Sequence, residues 1–168
     1  MGVNCYGNND ICEQHNGCKL LPDLLRVKGF TVQQFALVHN VPNNAFVIDT
    51  DDGIRILYCT DTQYVPKKVR GVHYAIIECN YNMEDIIEDE MNNIFTRSRF
   101  ENHQSIDNCI KYLKAIYSVD LQGVILWHLS NSNINPRQAK ERVQKELLFD
   151  NVYIAERGLE LDLVNSEF

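Results

Sequence analysis

The chain has 168 residues, 45% of them hydrophobic and 23% charged, with a formal net charge of −7. This is the length of one domain with enough apolar content for a core, which excludes a disordered tract. The acidic balance counts against a broad basic surface that coats nucleic acid, and no apolar run approaches the ~18 residues that span a membrane.

The opening MGVNCYGNND has neither a basic n-region nor an apolar h-region, so no signal peptide is expected. Gly2 lacks the Ser or Thr at the sixth position that myristoylation favours. The six cysteines, Cys5, Cys12, Cys18, Cys59, Cys79 and Cys109, then read as the reduced thiols of a cytoplasmic protein. The last three fall in apolar periodic segments and read as small buried hydrophobes.

Residues 1–28 form an irregular, cysteine-containing N-terminal segment. Cys12-x-x-His15-x-x-Cys18, with Cys5 nearby, carries the ligand types zinc favours, but its spacing matches none of the common finger patterns. A loop with incidental thiols and a small structural zinc site both remain open.

From Gly29 the pattern sharpens. Gly29–Val38 is an expected strand with Phe30, Val32, Phe35 and Leu37 as its apolar positions, and Asn40–Asn44 is a turn. Ala45–Asp49 and Ile54–Cys59 flank Thr50-Asp51-Asp52-Gly53, a hairpin signal because Asp-Gly tolerates positive φ. Val72–Cys79 is the next strand. Met83–Phe95 is expected to be helical, with Ile87, Met91, Ile94 and Phe95 at helix spacing and an acidic outer face. Ser105 is placed to cap a helix that buries Ile106, Cys109, Leu113, Ile116 and Tyr117. Leu121–Trp127 is a strand. Asn135-Pro136 is a helix start, with Ala139, Val143 and Leu147 as the buried stripe. Val152–Ala155 and Leu159–Val164 close the chain as two short strands around Arg157-Gly158. The sum is an α/β domain, a mixed β-sheet with flanking helices.

Three candidate ligands recur in one setting, an apolar strand followed by a polar residue. They are His39 after FALV, Asp61 within Thr60-Asp61-Thr62, and His128 after VILW. In α/β sheets, polar groups at the carboxyl ends of strands point into a common crevice. Imidazole nitrogens and carboxylate oxygens are normal ligands for zinc and also serve manganese or iron. Singly, each residue also has an ordinary reading, as a hydrogen-bonded loop histidine or a turn-capping aspartate.

These segments, with Glu78-Cys79-Asn80-Tyr81, Asn102-His103-Gln104-Ser105 and Leu126-Trp127-His128-Leu129-Ser130, resemble the metallo-β-lactamase fold superfamily. The His-Leu-Ser segment is similar to that of its phosphodiesterase and nuclease branch, which includes ribonuclease Z. The resemblance implies the later part of an αββα sandwich. It implies His39, Asp61 and His128 as metal ligands, with Asp61 bridging two ions. His103 would help protonate the leaving group, and Glu78 would orient a ligand or His103. The implied cofactor is a divalent metal, zinc or else manganese, and the implied substrate a phosphodiester or nucleic acid.

The family's first motif, His-x-His-x-Asp-His, does not occur in these 168 residues. The expectation is therefore an incomplete single domain over 1–168, joined by a complementing N-terminal half or by a second copy. A non-catalytic binding or assembly module derived from the fold is the alternative. Lys67, Lys68, Arg70, Arg97 and Arg99 are candidate phosphate contacts, or simply solubilising charges.

Overall fold

In this computed structural model, which describes residues 4–86, 98 and 100–164, the elements run β1 (Cys5–Gly7), α1 (Asn9–Gln14), β2 (Cys18–Leu20), β3 (Leu24–Val27), β4 (Phe30–Ala36), β5 (Asn44–Thr50), β6 (Arg55–Cys59), β7 (Tyr74–Glu78), a 3-10 turn (Met83–Asp85), α2 (Ile106–Ile116), β8 (Gly123–Trp127), α3 (Pro136–Leu147) and β9 (Val152–Ile154). β1 and β2 form a small parallel pair. The other seven strands form one sheet in spatial order β3-β4-β5-β6-β7-β8-β9.

Turn chemistry sets the first half of that sheet. Gly29 (φ 96°) and Gly53 (φ 88°) take the left-handed conformation that tight antiparallel connections require. β3 to β6 accordingly pair antiparallel, with Val47 opposite Leu57 across the second turn. From β6 onward the pairing is parallel, and the β7–β8 and β8–β9 crossovers carry α2 and α3. β4 and β6 point the same way because β5 opposes both. The carboxyl ends of β4, β6, β7 and β8 therefore leave the sheet at one edge, and this edge positions the site.

Alternation decides which side chains meet the helices. Leu57, Cys59, Ala75, Ile77, Val124 and Leu126 join Cys109, Leu113, Ala139 and Val143 in one core. Full burial of a Leu or Ile stabilises by about 1.5–3 kcal/mol, so Leu57, Ile77, Leu113 and Leu126 dominate this layer. Ser105 caps α2 by accepting from Asn108 N–H, and Asn135 caps α3 with Pro136 at its first turn. Lys114–Glu146 (2.7 Å) and Arg142–Asp107 ion pairs link the two helices on their exposed side. The opposite face holds Ile54, Tyr74 and Ile125, and a row of rings, Phe46–Tyr58–Trp127, at centroid separations of 6.4 and 6.3 Å.

Several sequence expectations need correction. The segment over 1–28 is not irregular where described, since β1, α1, β2 and β3 lie within it. Its strands are too short to show a period. Leu159–Val164 is not a strand. Its alternating Leu161 and Leu163 pack on the Ile54–Tyr74–Ile125 face, and Val164 N–H donates to Tyr74 Oη (3.1 Å), so the apolar pattern is met without a strand partner. Tyr117 is 47% exposed because it is the C-cap of α2 rather than part of its buried stripe. Of the expected helix Met83–Phe95, Met83–Asp85 form a single 3-10 turn, and Ile87, Met91, Ile94 and Phe95 lie outside the described residues. Among the described residues no helix is long and apolar enough to cross a membrane.

Candidate metal centre

The edge where β4, β6, β7 and β8 end is organised on Glu78, the last residue of β7. Its side chain is completely buried, and a carboxylate so placed needs every lone pair met. Oε1 accepts from His103 Nδ1 (2.7 Å) and from His128 Nδ1 (2.8 Å), and Oε2 accepts from the Thr62 backbone N–H (2.8 Å). Burial alone pushes the Glu78 carboxyl up. The hydrogen bonds from His103, His128 and Thr62 overcome it and hold the group below its ordinary value. In turn the Glu78 bond raises His128 above the usual histidine range, against the opposing effect of partial burial.

Glu78 thereby fixes two tautomers. An ionised carboxylate can only accept, so both rings carry the proton on Nδ1 and leave Nε2 with its lone pair free. His39 is held the same way, its Nδ1 donating to the Asn102 carbonyl (3.0 Å). His73, at the far end of the sheet, has the opposite arrangement, since its Nδ1 accepts from Arg55 N–H (2.9 Å). Histidines whose Nδ1 is fixed by a carboxylate or carbonyl are the usual form of an imidazole metal ligand.

The loops that carry these residues are built for them. Asp61 and His128 both have φ of 55°, a left-handed conformation that costs non-glycine residues about 1–2 kcal/mol. Asn43 Nδ2 donates to the carbonyls of Thr60 (2.7 Å) and Asp61 (2.8 Å), and Asn80 Nδ2 to that of His128 (2.8 Å), which hold the two strained turns in place. Thr62 Oγ1 donates to Tyr64 O (2.7 Å) and accepts from Val38 N–H (3.2 Å), so the loop after β6 is tied to the one after β4. Asn102 ties His39 to His103, because its Oδ1 accepts from Asn40 N–H (3.0 Å) and its Nδ2 donates to the Ser98 carbonyl (2.6 Å).

Asp61, His103 and His128 present ligand atoms that all lie within 4.8 Å of one another, a set able to hold a divalent ion. Both Asp61 and His128 are 41% exposed, so the cluster opens to solvent above the buried Glu78. His39 stands outside that group but beside it, its ring 5.5 Å from that of His103, which is 5.1 Å from that of His128. The five residues expected from the sequence are thus gathered at one edge, with His103 nearer to Asp61 and His128 than His39 is.

Of the expected phosphate contacts, Lys68 and Arg70 are not gathered there. Arg70 lies at the opposite end, where its carbonyl accepts from Arg55 Nη1 (3.1 Å), and Lys68 shares that region's surface hollow. The chain after β6 must return to the start of β7, and it carries both residues away. Lys67 Nζ sits 5.5 Å over the Phe35 ring. Arg97 and Arg99 lie outside the described residues. The sequence alone gives Asn43, Asn80 and Asn102 no role, although an asparagine stands beside each ligand segment.

No protein-family model matches the chain, and no curated protein matches it. Solved structures do. The metallo-β-lactamase fold protein YhfI from Bacillus subtilis superposes with a TM-score of 0.65 at 19% identity, over 92% of this chain and 61% of that one. The isothiocyanate hydrolase from Delia radicum gut bacteria gives 0.60 at 13% identity, over 85% of this chain and 59% of that one. The short form of human tRNase Z gives 0.48 at 17% identity, over 79% of this chain and 42% of that one. The chain has a metallo-β-lactamase fold, mixed α/β as expected, and it spans about three-fifths of the length of the first and the hydrolase.

Proposed function

We propose that this edge is the metal centre of a hydrolase acting on phosphodiester bonds, with His39, Asp61 and His128 as the ion-holding side chains and His103 as the proton donor. The observation that carries the reading is the single buried oxygen, Glu78 Oε1, that orients both His103 and His128. A carboxylate sealed from solvent and shared by two imidazoles costs stability unless it serves the groups it holds.

When bound, a divalent ion of the zinc or manganese type supplies Lewis acidity, offsetting charge on a phosphoryl oxygen and making water a better nucleophile. The chain's own residues do the rest. Asp61 offers two carboxylate oxygens at the tip of a strained turn. His128 and His39 offer Nε2. His103, fixed through Nδ1, is suited, once its other nitrogen has taken up a proton, to hand that proton to a leaving oxygen. The phosphodiester class rests on the likeness of His128-Leu129-Ser130 and of His103 to the nuclease branch. A reducing cytoplasm suits the six free cysteines.

Three donors are fewer than two tetrahedral ions require. We infer that further donors come from another polypeptide segment or a second copy, carried on a sheet that covers the Phe46–Tyr58–Trp127 face. Trp127 is 40% exposed on that face, directly before His128.

The test is hydrolysis of bis-p-nitrophenyl phosphate with zinc or manganese, together with bound-metal analysis. Asp61→Ala and His128→Ala are expected to lose metal and turnover together. His103→Ala is expected to keep metal and lose about 10²–10⁴-fold in turnover, whereas loss of its metal would put His103 in place of His39 among the ion-holding side chains. A folded chain with neither stoichiometric metal nor turnover on phosphodiesters would leave the non-catalytic assembly reading. Unchanged activity in both Asp61→Ala and His128→Ala would end the proposal.

A further inference from the structure

The N-terminal module β1–α1–β2 has no core. No residue from Cys5 to Leu20 is buried, yet the segment holds two paired strands and a capped helix. A parallel pair of three residues a side with an amphipathic crossover normally relies on apolar burial, and a unit this small without it needs a cross-link.

Two thiols, Cys12 and Cys18, meet where such a link belongs, and a third, Cys5, is the strand partner of Cys18. Cys5 and Cys18 are direct partners in the β1–β2 register, so their side chains leave the same face of the ribbon. α1 lies close over that face. A Cβ on Gly7 would come 2.7 Å from Ile11 Cγ2 and 3.2 Å from Cys18 Sγ, so only glycine permits the approach. The approach brings Cys12, in the middle of α1, to 3.1 Å from Cys18 Sγ, sulfur to sulfur. Cys12 Sγ also donates to the Gly7 carbonyl at 3.6 Å. Cys5 is exposed and the other two are partly so, which leaves the sulfurs open to solutes.

We propose that Cys5, Cys12 and Cys18 form a thiolate site for a soft divalent cation of the zinc class, separate from the histidine-rich edge, which staples this module. Two sulfurs each about 2.3 Å from one tetrahedral ion stand about 3.8 Å apart, so the Cys12–Cys18 pair needs only a small opening of the helix from the ribbon, and Cys5 must close onto that pair. Three sulfurs from three different elements give the ion what burial does not supply. The fourth position is open to solvent or to His15, which is the exposed C-cap of α1. Binding releases the thiol protons, one per sulfur bound. The proposal does not depend on the hydrolase reading.

Cobalt(II) separates the two sites by colour. Titrating the full, reduced, metal-free chain with cobalt is expected to give one equivalent of binding with a sulfur-to-cobalt charge-transfer band, bleached by one equivalent of zinc. Carboxylates and imidazoles cannot produce that band. It is expected to survive in Asp61→Ala and to be lost in Cys12→Ser and in Cys18→Ser. Because these side chains are outside the core, both serine variants are expected to keep the far-ultraviolet circular dichroism of the sheet. Chelation is expected to speed amide exchange over residues 5–20 at least tenfold while β6 to β8 stay protected. Absence of the band in the reduced chain, or its persistence in both serine variants, overturns the proposal. So does a chain that forms a Cys12–Cys18 disulfide and, once reduced, binds no cobalt through sulfur.

Discussion

His103 Nδ1 lies 2.7 Å from Oε1 of Glu78, a carboxylate with no exposure to solvent. Because the same oxygen receives His128, one buried side chain sets the orientation of two imidazoles that reach the molecular surface. Glu78→Gln should therefore act on binding before it acts on folding. The amide cannot accept two N–H donors on its nitrogen end and carries no charge. Zinc affinity is expected to fall about 10–100-fold, measured by competition with a chromophoric chelator. Glu78→Ala, which leaves both rings and Thr62 N–H without their acceptor, is expected to cost about 3 kcal/mol in a urea titration. An unaltered affinity in Glu78→Gln would show that the carboxylate does not orient the ligands.

The same network gives the metal-free protein a defined pH response. The Glu78 carboxyl is held below its ordinary 4.5 in the fold, so its contribution is present above that value and is lost as pH falls through the folded value. His128 is raised above its ordinary 6.5, so its contribution is full below that value and is lost as pH rises through the folded value. Urea midpoints of the metal-free chain should thus peak between these limits and fall on both sides. In Glu78→Gln both limbs should flatten. A midpoint rising steadily from pH 6 to pH 8 would contradict the assignment.

Asn102 links the His39 loop to the His103 loop without being able to bind a cation well itself. Asn102→Ala removes the acceptor for Asn40 N–H and the donor to Ser98 while keeping the backbone carbonyl that holds His39. The expected loss of stability is about 1–2 kcal/mol by denaturant titration. The imidazole proton signals of His39 should broaden while those of His128 stay sharp.

Leu148 provides a control away from the site. It has φ of 51° at the C-cap of α3 and is 90% exposed, so its side chain contributes little and its backbone is strained. Leu148→Gly should raise stability by about 1 kcal/mol and leave metal binding unchanged, as seen by thermal melting with and without zinc.

Period and turn chemistry made the sheet from Phe30 to Trp127 legible, because Asp-Gly, the Ser105 cap and Asn135-Pro136 each have one strong local solution. The strand-end grammar likewise located His39, Asp61 and His128 at one edge, since strand direction alone carries them there. The hub role of Glu78 was only half visible. Its contact with His103 and His128 spans 25 and 50 residues of sequence, and no local pattern encodes a shared acceptor. Leu159–Val164 misled because alternation signals one-sided burial, and a tail lying across a sheet buries one side as well as a strand does. The strands and helix of the N-terminal module are illegible for the opposite reason, being shorter than any period, although Cys12-x-x-His15-x-x-Cys18 marks its thiols.

The most direct measurement is anomalous diffraction at the zinc edge from crystals of the full chain grown with zinc. The account predicts a peak about 2.0–2.2 Å from an Asp61 carboxylate oxygen and a ring nitrogen of His128, with Glu78 outside the coordination sphere. A chain that takes up zinc at the thiols or elsewhere, and leaves Asp61 and His128 bare at saturating metal, would contradict it.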